Sequence, residues 1–391
     1  MWLEVFKYVQ GDEPRWVLNM TTGKVTYSAG YALMPIASLS RHFKELTEAL
    51  PNTYHRIIVQ HSALYQEYGS YGPRESPVTE SVLRGMESQV QTWLDRAMLQ
   101  NRALDIQLEV EEIPDFDDSL ESPILDYLIE QEHRWGSLTI STPLSLGPWS
   151  LVAGYIDKIR HSAHWSEVTE FHAFSRDPDI AMDTIMQQLG ETQLHFLDIG
   201  FNMGQSADHR SHLTNTLDGG MWKCLTTLHL KYSSYAALAL FIGQCAAVET
   251  VWASITSNHK SPLWYRPDVL QHTALQSMGV VIMNDCTDSA LNSVLDGLCC
   301  PNLSLLSIAC SPGVVVGLQD EITVQSVLAF LDRSGCTPAT FSGCIHFTDS
   351  NANCEEWEDR LEARGLQCCL VGNEKICYQH RWGIQDFDWY Y

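Results

Sequence analysis

Cys344, His346, Cys377 and His380 have the donor types that zinc takes in tetrahedral sites. Zinc ligands usually come as close pairs with a matching downstream pair, and the spacing here fits no such pattern. The chain has twelve cysteines, including the adjacent pairs Cys299-Cys300 and Cys368-Cys369. Adjacent side chains diverge along an extended backbone. Cysteine also serves as a small buried hydrophobe, so the sequence is read as holding no metal and no cofactor. His161, His164 and His172 fall close together in the chain, but acid–base chemistry needs a positioned nucleophile and base. The sequence carries no G-x-S-x-G, H-E-x-x-H, G-x-G-x-x-G or G-x-x-x-x-G-K-[ST]. Those histidines therefore read as surface or capping residues, and no catalytic residue is assigned. The acidic stretch Glu109–Glu121 lacks the central glycine of a calcium loop. It reads as a solvated loop, with a docking surface for a basic partner as the other reading.

What the chain does hold is a repeated apolar motif. Leu225-Thr-Thr-Leu228-His-Leu230 places leucine at the first, fourth and sixth positions. Leu194…Leu197…Ile199, Leu303…Leu306…Ile308 and Leu275…Met278…Val280 follow the same spacing, and Trp135…Leu138…Ile140, Val168…Phe171…Ala173 and Val248…Val251…Ala253 are weaker copies. In chain order their first residues step by 33, 26, 31, 23, 27 and 28. L-x-x-L-x-L at a period of roughly 20–29 is the mark of leucine-rich stacks. One such repeat cannot bury its apolar face alone, whereas neighbouring repeats share a long core. The motif strands are expected to lie parallel, adjacent and in chain order in one curved sheet, with helices on its outer side. Leu194, Leu197, Leu225, Leu228, Leu303 and Leu306 are expected in the buried layer.

The intervening segments read as helices. Thr287–Leu298 places Leu291, Val294, Leu295 and Leu298 on one face, with Asp288 at the cap. Trp149–Ile159, Ile180–Leu189, Ser234–Cys245, Glu321–Ser334 and Glu355–Arg364 precede extended segments in the same way. Pro338–Ile345 and Leu366–Val371 are the last of those extended segments, and Ser257–Gln271 is a long loop. Pro77–Gln100 is a longer helix with Val82, Met86, Val90, Trp93, Leu94 and Ala97 at helical spacing, and Leu104–Val110 alternates as a strand. Helix and strand in alternation imply parallel strands joined by crossovers. The fold class is α/β, an irregular leucine-rich-repeat-like solenoid over 78–391.

The 391 residues carry a net charge of −24, and 45% are hydrophobic. Phosphate backbones repel a chain this acidic, which points away from nucleic acid and anionic membranes and towards basic protein partners. No segment approaches the ~20 apolar residues of a transmembrane helix. Met1-Trp-Leu-Glu-Val-Phe-Lys has no apolar run long enough for a secretory signal. The expected location is cytoplasmic or nuclear, with thiols kept reduced.

Residues 1–60 differ from the remainder. Trp2, Val5, Phe6 and Val9 fall on one face of a short amphipathic helix, and Pro35–Leu50 forms a second with Ile36, Leu39, Phe43 and Leu46 inward. Gly11–Gly30 reads as an inserted loop, and Arg56-Ile-Ile-Val59 is extended. Residues 61–77, rich in Tyr, Gly and Pro, read as a linker.

The order of these elements resembles the F-box proteins of mushroom-forming fungi that carry leucine-rich-like C-terminal regions. W-L-E-V-F at Trp2–Phe6 is similar to that family's first helix, Ser38–Leu46 to its second, and Pro51–Ile58 to its third. Trp93-Leu-Asp-Arg-Ala with Leu104-Asp-Ile-Gln-Leu108, and His133-Arg-Trp135, resemble two later steps. The family's Leu-Pro start is missing, Phe43 and Tyr54 stand where Trp is usual, and 11–30 lengthens the first connection. The chain reads as a truncated or misspliced gene product, its small α-helical F-box-like module incomplete at the N-terminus.

The resemblance implies a substrate-recognition subunit of an SCF-type ubiquitin ligase. Trp2, Leu3, Phe6, Leu39 and Phe43 would dock a Skp-family adaptor within a cullin complex, and the solenoid would bind a protein substrate. Val5, Leu39 and Leu46 also read as filling the module's own core. Ubiquitin transfer chemistry would sit on other subunits. The other reading is a plain protein-binding solenoid with no ubiquitin role.

Overall fold

The computed structural model describes residues 15–19, 24–28, 55–61, 80–98, 104–110, 123–141, 168–175, 193–201, 222–257, 269–282, 288–310, 321–347 and 359–370. The chain divides into two units, Met1–Leu228 and His229–Tyr391. Each is an α/β arrangement of mostly parallel strands.

In the first unit, strands β1 (Arg15–Asn19), β2 (Lys24–Ser28), β3 (His55–His61), β4 (Leu104–Val110), β5 (Trp135–Ser141), β6 (Glu170–Ser175) and β7 (Phe196–Phe201) lie in the order β2-β1-β3-β4-β5-β6-β7. From β3 to β7 chain order and spatial order coincide, and every pairing is parallel. Parallel neighbours need a crossover. Glu80–Met98 (α1) lies in the connection from β3 to β4, and Pro123–Glu130 (α2) in that from β4 to β5. Helix α1 buries Met86, Val90 and Leu94 at intervals of four, the spacing that puts side chains on one face. Val82, expected on the same stripe, is 40% exposed, so the buried stripe starts one turn further in.

Gly11–Gly30, expected as a loop, contains the antiparallel hairpin β1–β2, and β1 also pairs in parallel with β3. The physical reason lies in Arg15-Trp-Val-Leu-Asn. This short run alternates around Leu18, which is fully buried, and its backbone completes the ladder begun by Ile57 and Val59. The segment Arg56–Val59, expected as extended, forms the strand that pairs with β4. The helices expected at 1–9, 35–50, 149–159 and 180–189 lie outside the described residues, as does the linker expected at 61–77 apart from His61, which ends β3.

Strand β8 (Thr227–Ser234) carries the boundary between the units. In the second unit, β9 (Thr250–Ser257), β11 (Ser277–Ile282), β13 (Leu305–Cys310), β14 (Ser342–Phe347) and β15 (Leu366–Leu370) are parallel and in chain order. Helices Tyr235–Gln244 (α3), Asp288–Asp296 (α4) and Glu321–Ser334 (α5) fall between them. They bury Leu238, Phe241 and Ile242, then Leu291, Val294 and Leu295, then Val327, Phe330 and Leu331. Two short strands, β10 (Leu270–Gln271) and β12 (Leu298–Cys299), form a separate parallel pair. The helix expected to run to Leu298 therefore stops at Asp296. Gly297 follows, and its carbonyl accepts the Leu270 N–H at 2.8 Å.

Helix α5 ends in a glycine cap. Gly335 has φ +67°; its N–H donates to Asp332 O at 3.1 Å, and the Cys336 N–H donates to Leu331 O at 3.0 Å. That is the Schellman arrangement, in which a residue without Cβ adopts the left-handed turn cheaply.

Candidate functional site

The motif positions fall into register across the strands. In the first unit Ile57, Ile106, Leu138, Phe171 and Leu197 form one row of the ladder, each 0–1% exposed. In the second, Val251, Met278 and Leu306 form the equivalent row, each fully buried. The six leucines expected in the core are all at most 3% exposed. The next strand has Gly343 opposite Leu306. A Cβ there would run into the backbone oxygen of Leu306 and lie 2.6 Å from Leu366 Cδ2, so backbone and side chain together occupy the space a leucine would need. That exchange explains why β14 reads poorly as a copy of the motif.

A backbone seam recurs at the second motif position. Thr169 O accepts the His195 and Phe196 N–H groups, and His195 O accepts those of Thr226 and Thr227. In the second unit Glu249 O accepts from Gln276 and Ser277, and Gln276 O from Ser304 and Leu305. All these bonds measure 2.8–3.1 Å. Where this residue carries a hydroxyl it adds a third donor: Thr169 Oγ1 to Gly136 O, Thr226 Oγ1 to His195 O and Ser304 Oγ to Gln276 O, at 3.0–3.1 Å. Hydroxyl residues suit this place because a short side chain reaches the preceding carbonyl.

Alternation along each strand puts the third and fifth motif positions on the opposite face. Arg56 and Asp105 pair there through Nε and Oδ2 at 2.6 Å. Further along, Glu170 lies opposite Phe196, and His172 lies between Thr139 and Asp198. His172 Nδ1 is 3.6 Å from Asp198 Oδ2. Its ring centroid is 4.8 Å from that of Phe196, with the planes tilted by 34°. Asp198 is 6% exposed, while Glu170, His172 and Phe196 are half-buried. This cluster of two carboxylates and two aromatic rings has the makings of a recognition surface.

Of the residues singled out for chemistry, His172 alone belongs to this cluster. It sits within β6, and His161 and His164 lie outside the described residues. Cys344 and His346 stand two residues apart in β14, and Cys377 and His380 lie outside the described residues. Among the described residues no cluster of His, Cys, Asp or Glu is arranged to hold a metal. Burial pushes the thiols of Cys245 and Cys300 up to about 12 and that of Cys336 up to about 11. They stay protonated and serve as small apolar groups. Cys299 and Cys300 do diverge: Cys299 Sγ donates to Arg333 O at 3.2 Å, whereas Cys300 is fully buried. Trp2, Leu3, Phe6, Leu39 and Phe43, expected to dock an adaptor, lie outside the described residues. The motif spacing could have pointed to Glu170, Phe196 and Asp198, because they occupy the outward positions between its apolar residues.

No protein-family model and no curated protein matches the sequence.

Proposed function

We propose that the chain is a leucine-rich-repeat-like solenoid that captures a protein substrate, and that it is the substrate-recognition subunit of an SCF-type ubiquitin ligase. The observation that carries the first half is the repeated seam. The starts of β7, β8, β11 and β13 each bond to the same carbonyl position of the preceding repeat, and the apolar motif residues form one buried row in each unit. Stacks of units that contact only their neighbours present long surfaces suited to protein partners. The second half rests on the order of sequence features that resembles F-box proteins. In this reading the helices bearing Trp2, Leu3, Phe6, Leu39 and Phe43 dock a Skp-family adaptor joined to a cullin, and the polypeptide itself carries no catalysis. Among the described residues no helix is long and apolar enough to cross a membrane, and the proposed location is cytoplasmic or nuclear.

One finding favours a plain protein-binding solenoid. Strands β1 to β3 are built into the sheet through β4, so the described residues 15–19, 24–28 and 55–61 serve the stack as well as any separate module. Co-purification of the full chain from cells, with assay for adaptor and cullin, decides between the two. Stoichiometric adaptor supports the ligase reading. Failure to bind purified adaptor, alone or with a Leu-Pro segment fused ahead of Met1, leaves the plain solenoid.

A further inference from the structure

We infer that the sheet face at β6 and β7 receives an arginine side chain from a basic segment of the protein partner. This rests on the reading of the solenoid as a capture surface and adds the chemistry of what is captured. Glu170, His172, Phe196 and Asp198 occupy adjacent positions on two neighbouring parallel strands. Their strand neighbours Phe171, Leu197 and Ile199 are buried in the opposite layer, so the alternation of the strand turns these four away from that core. The Asp198 carboxylate, largely buried, lies against the His172 imidazole, and that imidazole lies tilted beside the Phe196 ring. The result is two ring faces with one carboxylate behind them and Glu170 beside Phe196.

A guanidinium matches this arrangement in three ways. It is planar and stacks on an aromatic face, where the ring quadrupole attracts a cation. Its fork of N–H donors suits a carboxylate such as Glu170. The chain's net charge of −24 draws basic segments towards the molecule and repels acidic ones. Ammonium would gain the charge term but less of the stacking and none of the bidentate geometry.

The test is fluorescence anisotropy on the full chain at physiological salt, using a labelled nonapeptide of alternating arginine and glycine. Lysine and citrulline counterparts serve as competitors. The arginine peptide should bind, lysine should bind at least several-fold more weakly, and citrulline should not compete. Phe196→Leu, which keeps an apolar body in place, should weaken the arginine peptide about 3- to 30-fold, the range of a cation–π contact, and should narrow the arginine–lysine gap. Glu170→Gln should weaken it too, while Glu362→Gln, an exposed change in the second unit, should leave it unchanged. Equal losses from Glu170→Gln and Glu362→Gln would reduce the effect to general electrostatics and overturn the inference. Competition by citrulline would do the same. Acylation of His172 by diethyl pyrocarbonate provides an independent reading: the ring should react in the free chain and be protected by the arginine peptide. A ring already protected in dilute chain would show the face covered by the chain itself, and protection that grows with protein concentration would show a second copy there. Either result removes the proposed occupant. None of these measurements involves the adaptor, so failure here leaves the ligase reading standing, and failure of adaptor binding leaves this site standing.

Discussion

The indole of Trp252 lies over Gly279, its neighbour across the ladder between β9 and β11. A Cβ on residue 279 would run into Cε3 and Cζ3 and come within 2.9 Å of Cδ2. The glycine is there to admit the ring. Gly279→Ala should therefore destabilise the fold by about 1–3 kcal/mol, the usual cost of overpacking, read from urea unfolding. In a Trp252→Ala background the same change should cost clearly less, because the pair is coupled. Equal costs in both backgrounds would show that the two residues act independently.

Leu228 is fully buried at the fourth position of the best copy of the motif. Leu228→Ala should cost about 2–5 kcal/mol, as removal of a core leucine does. Thr226→Val, beside it, deletes only the hydroxyl that reaches His195 O and should cost about 1 kcal/mol. The ratio between these two unfolding measurements tests which of apolar burial and seam bonding dominates.

His272 is 4% exposed, with Nε2 3.1 Å from Cys245 O and Nδ1 accepting the Leu275 N–H at 3.2 Å. Those two contacts specify a neutral ring protonated on Nε2, since Nδ1 must keep its lone pair. Burial lowers the pKa below its ordinary 6.5, and the bond to Cys245 O opposes this only in part. The unfolded chain therefore takes up a proton first as pH falls. This histidine's linkage should leave stability intact above about pH 6.5 and remove it progressively below, by at most about 1.4 kcal/mol per pH unit. Stability measured at pH 7.5, 6.5 and 5.5 should fall more steeply in the native chain than in His272→Gln.

Arg333 joins consecutive helical segments. Its Nη2 donates to Leu295 O at 2.7 Å and its Nε to Leu298 O at 3.4 Å, which places a cation at the C-terminus of α4, where the helix dipole favours it. Arg333→Ala should lower stability by about 1.5 kcal/mol. Arg333→Lys should recover only part of the loss, because a single ammonium cannot reproduce the fork. Full recovery by lysine would make the effect one of charge alone.

If the N-terminal residues bind a Skp-family adaptor, changing Trp2 and Phe6 together to Ala should weaken that binding by several kcal/mol. Circular dichroism and the unfolding midpoint should stay near those of the native chain. A large drop in midpoint would assign both aromatics to the fold instead.

Much of the architecture was legible in local order. The helix over Glu321–Ser334 has the bounds expected from its apolar spacing, and those over Asp288–Asp296 and Tyr235–Gln244 fall within a residue or two. The strands come where Leu, Ile and Val repeat at the motif spacing, because that spacing places three side chains on one face of a turn-and-strand unit. The hairpin at Arg15–Ser28 was not legible. Its one fully buried residue, Leu18, gains a partner layer only when β1 lies beside β3, and Ile57 and Val59 come from more than thirty residues away. The short pair Leu270–Gln271 and Leu298–Cys299 was missed for the same reason, since two-residue strands carry no period of their own.

By itself, then, the sequence determined the α/β class, the positions of most described helices and strands, and which leucines are buried. Each of those follows from spacing within a few residues. Only the tertiary structure decided which outward side chains meet. His172 and Asp198 are 26 numbers apart, as are Glu170 and Phe196, and they become neighbours because parallel pairing sets Phe171 against Leu197 in the ladder. Shifting that register by one residue would turn the strand's whole outward set inward. The surface chemistry of this protein thus depends on an alignment fixed by burial on the other face.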